Sequence, residues 1–277
     1  MSQILVLKLN GKTEPFDSTK LNASLRSAGA TDAEASAITS HIEAEIIDGI
    51  TTSDIYRHAF DLLHSSSKPV ALRYSMKRAV LDLGPNGFPF EKFVAEIFKA
   101  KGYEAVTGQI VYGTCVEHEM DVVAWKGDEL VMIEAKFHNE VGLKSDLKVA
   151  LYVKARFDDL MDKEFTFGGK TRRLTSWHLV TNTKFTDHAI RYARCKGLSL
   201  IGWNYPEKGN LEDLIDEAGL HPLTGLTTLS AAEKQSLLSA GLVLCRQIKE
   251  NEARLEYLGI PKKKIPAVIE EASSICV

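Results

Sequence analysis

The run Gly84-Pro85-Asn86-Gly87 separates two hydrophobic patterns that cannot belong to one repeating element. Its glycines readily adopt turn conformations, and its proline fixes φ and has no N–H to donate, so neither a helix nor a strand passes through it. Before it, apolar residues recur at helical spacing: Leu21 and Leu25, then Ala35, Ile38, Ile42 and Ile46, then Ile55, Phe60 and Leu63. After it, short apolar runs bounded by turn residues alternate with helical stretches, as in an α/β layered fold. The reading is therefore an α/β multidomain chain: a module over 1–84, a mixed-sheet domain over 85–220 and a helical extension over 221–277.

Within the first module, ILVLKL (4–9), the turn Asn10-Gly11 and a second strand ending near Phe16 read as a β-hairpin, because Asn-Gly supplies the positive φ values of a type I′ turn. Asp17 or Ser18 caps a first helix, and Thr31 or Asp32 a second that ends at Gly49. Thr51-Thr52-Ser53 opens a third, and Pro69 a fourth that reaches Leu83. In the second domain the spacing predicts a helix over 88–101, strands near 104–112, 119–125 and 129–137, and a helix over 146–163. A buried strand SWHLVTN, a helix over 185–196 and a strand LSLIGW follow, and everything from Leu211 onward reads as helical. Gly168-Gly169-Lys170-Thr171 imitates the end of a phosphate-binding P-loop, but Glu164 stands where the first glycine belongs and a strand follows; it reads as a surface turn.

A formal net charge of −3 and a pI near 6.3 exclude a whole-chain basic footprint for nucleic acid and leave only a local patch. Cys115, Cys195, Cys245 and Cys276 are scattered without a CxxC pair, as in a reducing compartment. The N-terminus lacks the regions of a signal peptide, and no window approaches the roughly 18 consecutive apolar residues of a membrane span. A cytoplasmic location with no membrane partner is the expectation.

The chemistry concentrates between residues 118 and 138. Asp121 leads into the apolar run VVAW, KGDE turns the chain, and LVMIEAKF forms the next strand. Residues i and i+2 of a strand share a face, so Glu134 and Lys136 point the same way while Ile133, Ala135 and Phe137 point into the other layer. Asp121, on the neighbouring hairpin strand, can converge on them. Two carboxylates suit a hard, oxygen-seeking cation, and a lysine beside them can orient a water or offset developing charge. A further carboxylate is expected from the preceding helix. Glu91 flanks its apolar stripe (Phe90, Phe93, Val94, Ile97, Phe98), whereas Glu96 lies nearly opposite, so Glu91 is chosen.

Asp121, Glu134 and Lys136 carry the D…ExK signature of the PD-(D/E)xK nucleases. FPFEKFVAEIFKAKGYE, HEMDVVAW, VMIEAKF and the distal KFTDHAIRYARCKGLSLIGW resemble the Mrr-like restriction endonucleases. His118-Glu119-Met120-Asp121 departs from the Gly-Gly-x-Asp that many members carry, and Glu134-Ala135-Lys136 replaces their QxK with the more widespread ExK. Lys148 and Tyr152 sit where members often place a supporting polar and aromatic pair. The resemblance implies a Mg²⁺-dependent endodeoxyribonuclease, a hydrolase whose catalytic residues are Glu91, Asp121, Glu134 and Lys136, with Asp121 and Glu134 holding the metal.

The first module is similar to the ATP-cone, through VLKLNGKTEPFDSTKL, DGITTSDIY and ALRYSMKRA. That resemblance implies a hairpin with four helices and places ATP or dATP, as an allosteric ligand, near Val6, Lys8, Glu14, Lys20, Thr52, Tyr56, Arg73 and Lys77. The family often has Lys-Arg at Lys8-Leu9. Arg73 and Lys77 lie one helical turn apart, and Thr52 at a helix N-terminus suits a phosphate. The combined expectation is an ATP-regulated DNA endonuclease that forms homo-oligomers. Its rival is a non-catalytic nucleotide sensor that only binds DNA, and an RNA or branched-DNA substrate stays open.

Overall fold

The computed structural model describes residues 4–7, 12–84, 86–140 and 142–275. Its contacts gather into two units, one reaching to Arg78 and including Ser273–Ile275, the other spanning Ala79–Ala272. The fold is the mixed α/β one that the pattern implies.

In the first unit, β1 (Leu5–Leu7) runs antiparallel to β2 (Thr13–Pro15), with Val6 opposite Glu14. The Asn10-Gly11 turn and Lys8 lie outside the described residues. Asp17 caps α1 (Ser18–Ser27) by accepting the Thr19 N–H at 3.1 Å. Thr31 and Glu34 form a capping box on α2 (Asp32–Glu45), each accepting the other's backbone N–H. That helix ends before Gly49 because Ile46 turns extended and takes a place in the core. Thr51 caps α3 (Thr52–Ser66) through the Asp54 N–H at 3.0 Å. The single fourth helix expected over 69–83 is two, α4 (Lys68–Tyr74) and α5 (Met76–Leu81). Ser75, a weak helix former with ψ −2°, interrupts them. The core is Val6, Leu21, Leu25, Ile42, Ile55 and Leu63 with their neighbours.

The second unit opens with α6 (Phe88–Ala100), which buries Phe90, Phe93, Val94, Ile97 and Phe98. Then come β3 (Glu104–Tyr112), β4 (Glu117–Lys126), β5 (Glu129–Lys136), β6 (Lys144–Ser145) and α7 (Leu147–Leu160). The hairpin β7 (Glu164–Phe167) and β8 (Lys170–Arg173) precedes β9 (Ser176–Thr181), β10 (Lys184–Phe185), α8 (Asp187–Lys196) and β11 (Ser199–Ile201). The main sheet has the order β11-β9-β5-β4-β3, antiparallel from β3 to β5 and parallel from β5 to β11. A separate two-residue parallel pair joins β6 to β10.

Side chains alternate across this sheet. Leu130 and Met132 of β5 and Trp177 of β9 pack towards Val153 and Phe157 of α7 and Ala189 of α8. The opposite set meets α6, where Phe90 and Phe137 approach at 5.4 Å and Phe98 and His178 at 5.5 Å between ring centroids. Three layers result, α/β/α. Gly168-Gly169 is the turn of the β7–β8 hairpin. Gly168 has φ +57° and a Cβ there would fall 2.6 Å from Trp125 Nε1, so packing explains this glycine without a phosphate.

The chain closes with α9 (Leu211–Glu217), α10 (Ala231–Ser239), α11 (Cys245–Glu250), α12 (Glu252–Leu255) and α13 (Ile265–Ile275). Buried Glu271 accepts both the N–H and the hydroxyl of Thr227 and of Thr228. Burial pushes its carboxyl up, but these four bonds prevail and hold it below its ordinary value. Arg246 of α11 reaches Glu96 of α6 at 2.8 Å, which ties this helical region to the sheet domain. Lys262–Lys264 form a short 3₁₀ turn leading into α13. No helix among the described residues is long and apolar enough to cross a membrane.

Candidate active site

β4 and β5 are paired from Lys126 and Glu129 up to Val122 and Ile133. Beyond that point β5 continues beside β9, with Glu134 opposite Leu179 and Lys136 opposite Thr181. The Ala135 N–H, which has no β4 carbonyl in that register, is taken by Asp121 Oδ2 at 2.7 Å. The strand geometry favours such a divergence. Gly108, facing the Asp121 position on β3, has φ +61°, and the pairing lapses between Thr107–Val122 and Gln109–Met120. Val106 and Val111 on β3, and Met120 and Val123 on β4, all serve the core beneath α7. The register is the same on both sides of this lapse, so the ladder is interrupted at Gly108 and Asp121, beside the candidate site, without an inserted residue.

Asp121, Glu134 and Lys136 thus gather where the two strands part, and Glu91, in the first turn of α6, lies close enough to Asp121 and Glu119 to feel their charges. Burial, then the charges of Asp121 and Glu119, push the Glu91 carboxyl up to about 7, against Lys92. Burial, then Asp121, push Glu134 up to about 7, against Arg156 and Lys136. Burial also raises Asp121, opposed first by its bond from Ala135 and then by Arg156. Glu96, the rejected candidate, is engaged elsewhere with Lys99 and Arg246, each at 2.8 Å. Lys136 is exposed at the end of β5. Its carbonyl accepts Thr181 Oγ1 at 2.8 Å. Two residues on, Asn182 clamps the backbone of His138, accepting its N–H at 2.8 Å and donating to its carbonyl at 2.9 Å. The strand end that presents Glu134 and Lys136 is therefore fixed from β9.

Arg156 of α7 is not among the site residues that the sequence pattern singles out, yet its Nη1 donates to Glu134 Oε2 and its Nη2 to the Glu119 carbonyl. Tyr152 is exposed and lies against the Arg156 guanidinium at 5.5 Å, and Lys148 is exposed on the same helix. The spacing Lys148, Tyr152, Arg156 marks one face of α7; which of them reaches β5 depends on where the helix crosses the sheet. His118 lies on β4 and is held by Asp159 at 2.9 Å, and Asp159 also accepts the backbone N–H groups of Cys115 and Val116. The His118 hydrogen bond is the first cause holding Asp159 well below the carboxylate range. This network folds the β3–β4 turn.

Several buried carboxyls with mutual repulsion and few cations are a donor set that suits a hard divalent ion. The same repulsion gives stability a definite pH dependence. Folded-state values near 7 against an ordinary 4.5 mean that the stability these groups add is complete below about 4.5 and is lost as pH rises through 7. The metal-free protein is expected to melt lower at pH 8 than at pH 6, by a loss on the order of 2 kcal/mol after discounting half-exposed Glu91. Added Mg²⁺ should recover that loss at pH 8 and do little at pH 6, which differential scanning calorimetry would show.

In the first unit, Val6 is buried on β1, and Glu14 and Asp17 flank Lys20 at 3.9 and 3.7 Å. Thr52 is the first residue of α3, and Tyr56 stacks on Tyr74 with centroids 5.1 Å apart. Arg73 Nε donates to the Ala28 carbonyl at 2.8 Å, closing the C-terminal end of α1. Lys77 is exposed on α5, and Arg73 and Lys77 lie on either side of the break at Ser75.

A three-layer α/β/α domain with Asp121, Glu134 and Lys136 at a strand divergence defines a restriction-endonuclease-like protein, here joined to a hairpin-and-helix module. The model described as "Restriction endonuclease" matches residues 85–204, "ATP cone domain" residues 4–79, and "AF1548-like, C-terminal" residues 221–276. An uncharacterized protein of Archaeoglobus fulgidus is 40% identical over 183 residues, which is 66% of this chain and 99% of that protein. The crystal structure of AF1548, a protein of unknown function, is 39% identical with a TM-score of 0.58, covering 69% of this chain and 98% of that one. The chain belongs to the AF1548-like family and combines a Mrr-like restriction endonuclease catalytic domain with an ATP cone domain. The ATP cone implies nucleotide binding.

Proposed function

We propose that this chain is a Mg²⁺-dependent endonuclease that hydrolyses DNA phosphodiester bonds under the control of ATP or dATP. The single observation that carries this reading is the grouping of Asp121 with Glu134 and Lys136 at the β4–β5 divergence, with Glu91 of α6 feeling the Asp121 charge and two of the carboxyls raised to about 7. Asp121 and Glu134 would hold the metal through carboxylate oxygens. When bound, Mg²⁺ supplies Lewis acidity towards a phosphate oxygen and lowers the pKa of a water. Lys136 orients the attacking water and offsets charge that builds on the phosphate. Glu91 stands ready to accept a proton near neutral pH. Arg156 fixes the Glu134 carboxylate and shields it from Asp121.

The domain assignment follows: nucleotide sensing by 1–84, cutting by 85–220, and a structural helical extension over 221–277. The nucleotide is placed against the hairpin and the start of α3, near Val6, Glu14, Lys20, Thr52 and Tyr56, with Lys8, Arg73 and Lys77 beside them. ATP acts by binding, through oligomeric state or access to DNA. One observation favours the rival, a DNA-binding sensor that does not cut: the Arg156–Glu134 pair compensates part of the site's charge without a metal.

Plasmid nicking with Mg²⁺, with and without ATP or dATP, decides between them. Wild type is expected to cut, Lys136→Ala to lose about 10²–10³-fold, and nucleotide to change the wild-type rate. No cleavage of any DNA form, with DNA binding equal in wild type and Lys136→Ala, would overturn the nuclease in favour of the sensor.

A further inference from the structure

Helices α2 and α3 carry a side-chain cluster that neither the cutting site nor the nucleotide reading uses. His41 and Glu45 lie one turn apart on α2 and so share a face. His58 meets them from α3. His41 Nε2 stands 3.3 Å from Glu45 Oε1, and His58 Nε2 stands 3.5 Å from Glu45 Oε2. One ligating atom from each residue lies within 4.8 Å of the others. The two imidazoles meet edge to face, with centroids 5.2 Å apart and planes at 75°.

These N···O separations are long for a charge-assisted hydrogen bond, which closes to about 2.7–2.9 Å. Each imidazole nitrogen approaches a different carboxylate oxygen, at a separation near the edge of a coordination tetrahedron, about 3.3 Å when metal–ligand bonds are about 2.0–2.1 Å. We propose that His41, Glu45 and His58 form a binding site for a divalent transition ion of the Zn²⁺ type. Two imidazoles with one carboxylate select such an ion over Mg²⁺ or Ca²⁺, which take oxygen ligands. The side chains of His41, Glu45 and His58 are 47%, 54% and 33% exposed, so an ion enters without opening the fold. Three protein ligands leave a fourth position for water or a ligand oxygen. The bound ion cross-links α2 to α3, the helix that carries Thr52 and Tyr56, and so fixes the pair that encloses Ile42 and Ile55.

The test is a Co²⁺ titration of the full-length protein after chelation. The expected result is one high-affinity Co²⁺ per chain with the intense visible bands of a tetrahedral, nitrogen-containing site, which Zn²⁺ abolishes. His41→Ala and His58→Ala should each weaken binding at least about 100-fold, the upper end of what losing even a supporting partner does. Both variants should keep the circular dichroism and metal-free melting of wild type but lose its Zn²⁺-induced rise in melting temperature. Asp121→Asn, which disarms the carboxylate site, should leave the bands intact. Absent bands, or bands that persist in both histidine variants, would overturn the assignment, as would bands that vanish in Asp121→Asn alone.

Discussion

Asp121→Asn is expected to slow the proposed Mg²⁺-dependent cleavage about 10³-fold, because a carboxylate in the role proposed for Asp121, holding a catalytic metal, contributes several kcal/mol to the transition state. The same substitution should raise the melting temperature of the metal-free protein at pH 8 by about 2–4 °C. The two effects have one cause. The amide introduced by Asp121→Asn keeps an oxygen that can accept the Ala135 N–H, so the strand divergence survives. It removes the charge that is the second cause, after burial, raising both Glu91 and Glu134. Their values then fall towards the ordinary range, and ionising them in the fold becomes easier. At pH 5.5 both carboxyls are largely protonated in wild type, so there is little repulsion for the substitution to relieve and the stability gain should shrink. Asp121→Ala should lose cleavage too, but without the stabilisation, because the Ala135 N–H is left without its acceptor. A variant that loses activity and stability together would mean that Asp121 is mainly a strand-end brace.

The contrast between the amide and the methyl variant at this position separates what is legible in the sequence from what is not. The D…ExK spacing on alternating strands places Glu134 and Lys136 on one face and Asp121 nearby, since a hairpin register needs only its turn and its apolar pattern. The choice of Glu91 over Glu96 rests on an amphipathic stripe, and α6 is oriented by that stripe. What a linear pattern cannot carry is the crossing of one element over another. Arg156 reaches Glu134 from α7 across the sheet, 22 residues away, and its helical repeat marks a face but not a contact. The break at Ser75 is of the same kind: serine disfavours a helix interior too weakly to mark a break by itself, and tertiary contacts by Arg73 and Tyr74 hold α4 in place. The β6–β10 pair is two residues long on each side, too short for any periodicity to reveal. Thr51 and Thr52 are both visible as helix openers, and only the geometry assigns the cap to Thr51 and leaves Thr52 as the first helical residue.

Arg156→Ala has the second large effect. The Arg156 and Glu134 side chains are 11% and 18% exposed, so this is a largely buried pair rather than a surface one. Removing one partner leaves a desolvated carboxylate beside Asp121, which destabilises the folded state by about 2–4 kcal/mol at pH 8. The loss must depend on pH in a definite direction. Arg156 is what opposes the burial and repulsion that raise Glu134, so without it the Glu134 carboxyl rises beyond about 7. As pH falls below that, Glu134 takes up a proton and its uncompensated charge disappears. Urea denaturation of Arg156→Ala should therefore show a deficit at pH 8 that narrows by pH 5.5. Adding Glu134→Gln should remove most of the deficit at both values, since no buried charge remains unpaired. Mg²⁺ should also restore Arg156→Ala at pH 8, because a cation bound by Asp121 and Glu134 compensates the same charge. If the deficit is equal at pH 8 and 5.5, and Glu134→Gln leaves it in place, then Arg156 acts by packing against Tyr152 and the Glu119 carbonyl and not by steadying the carboxylate proposed to hold the metal.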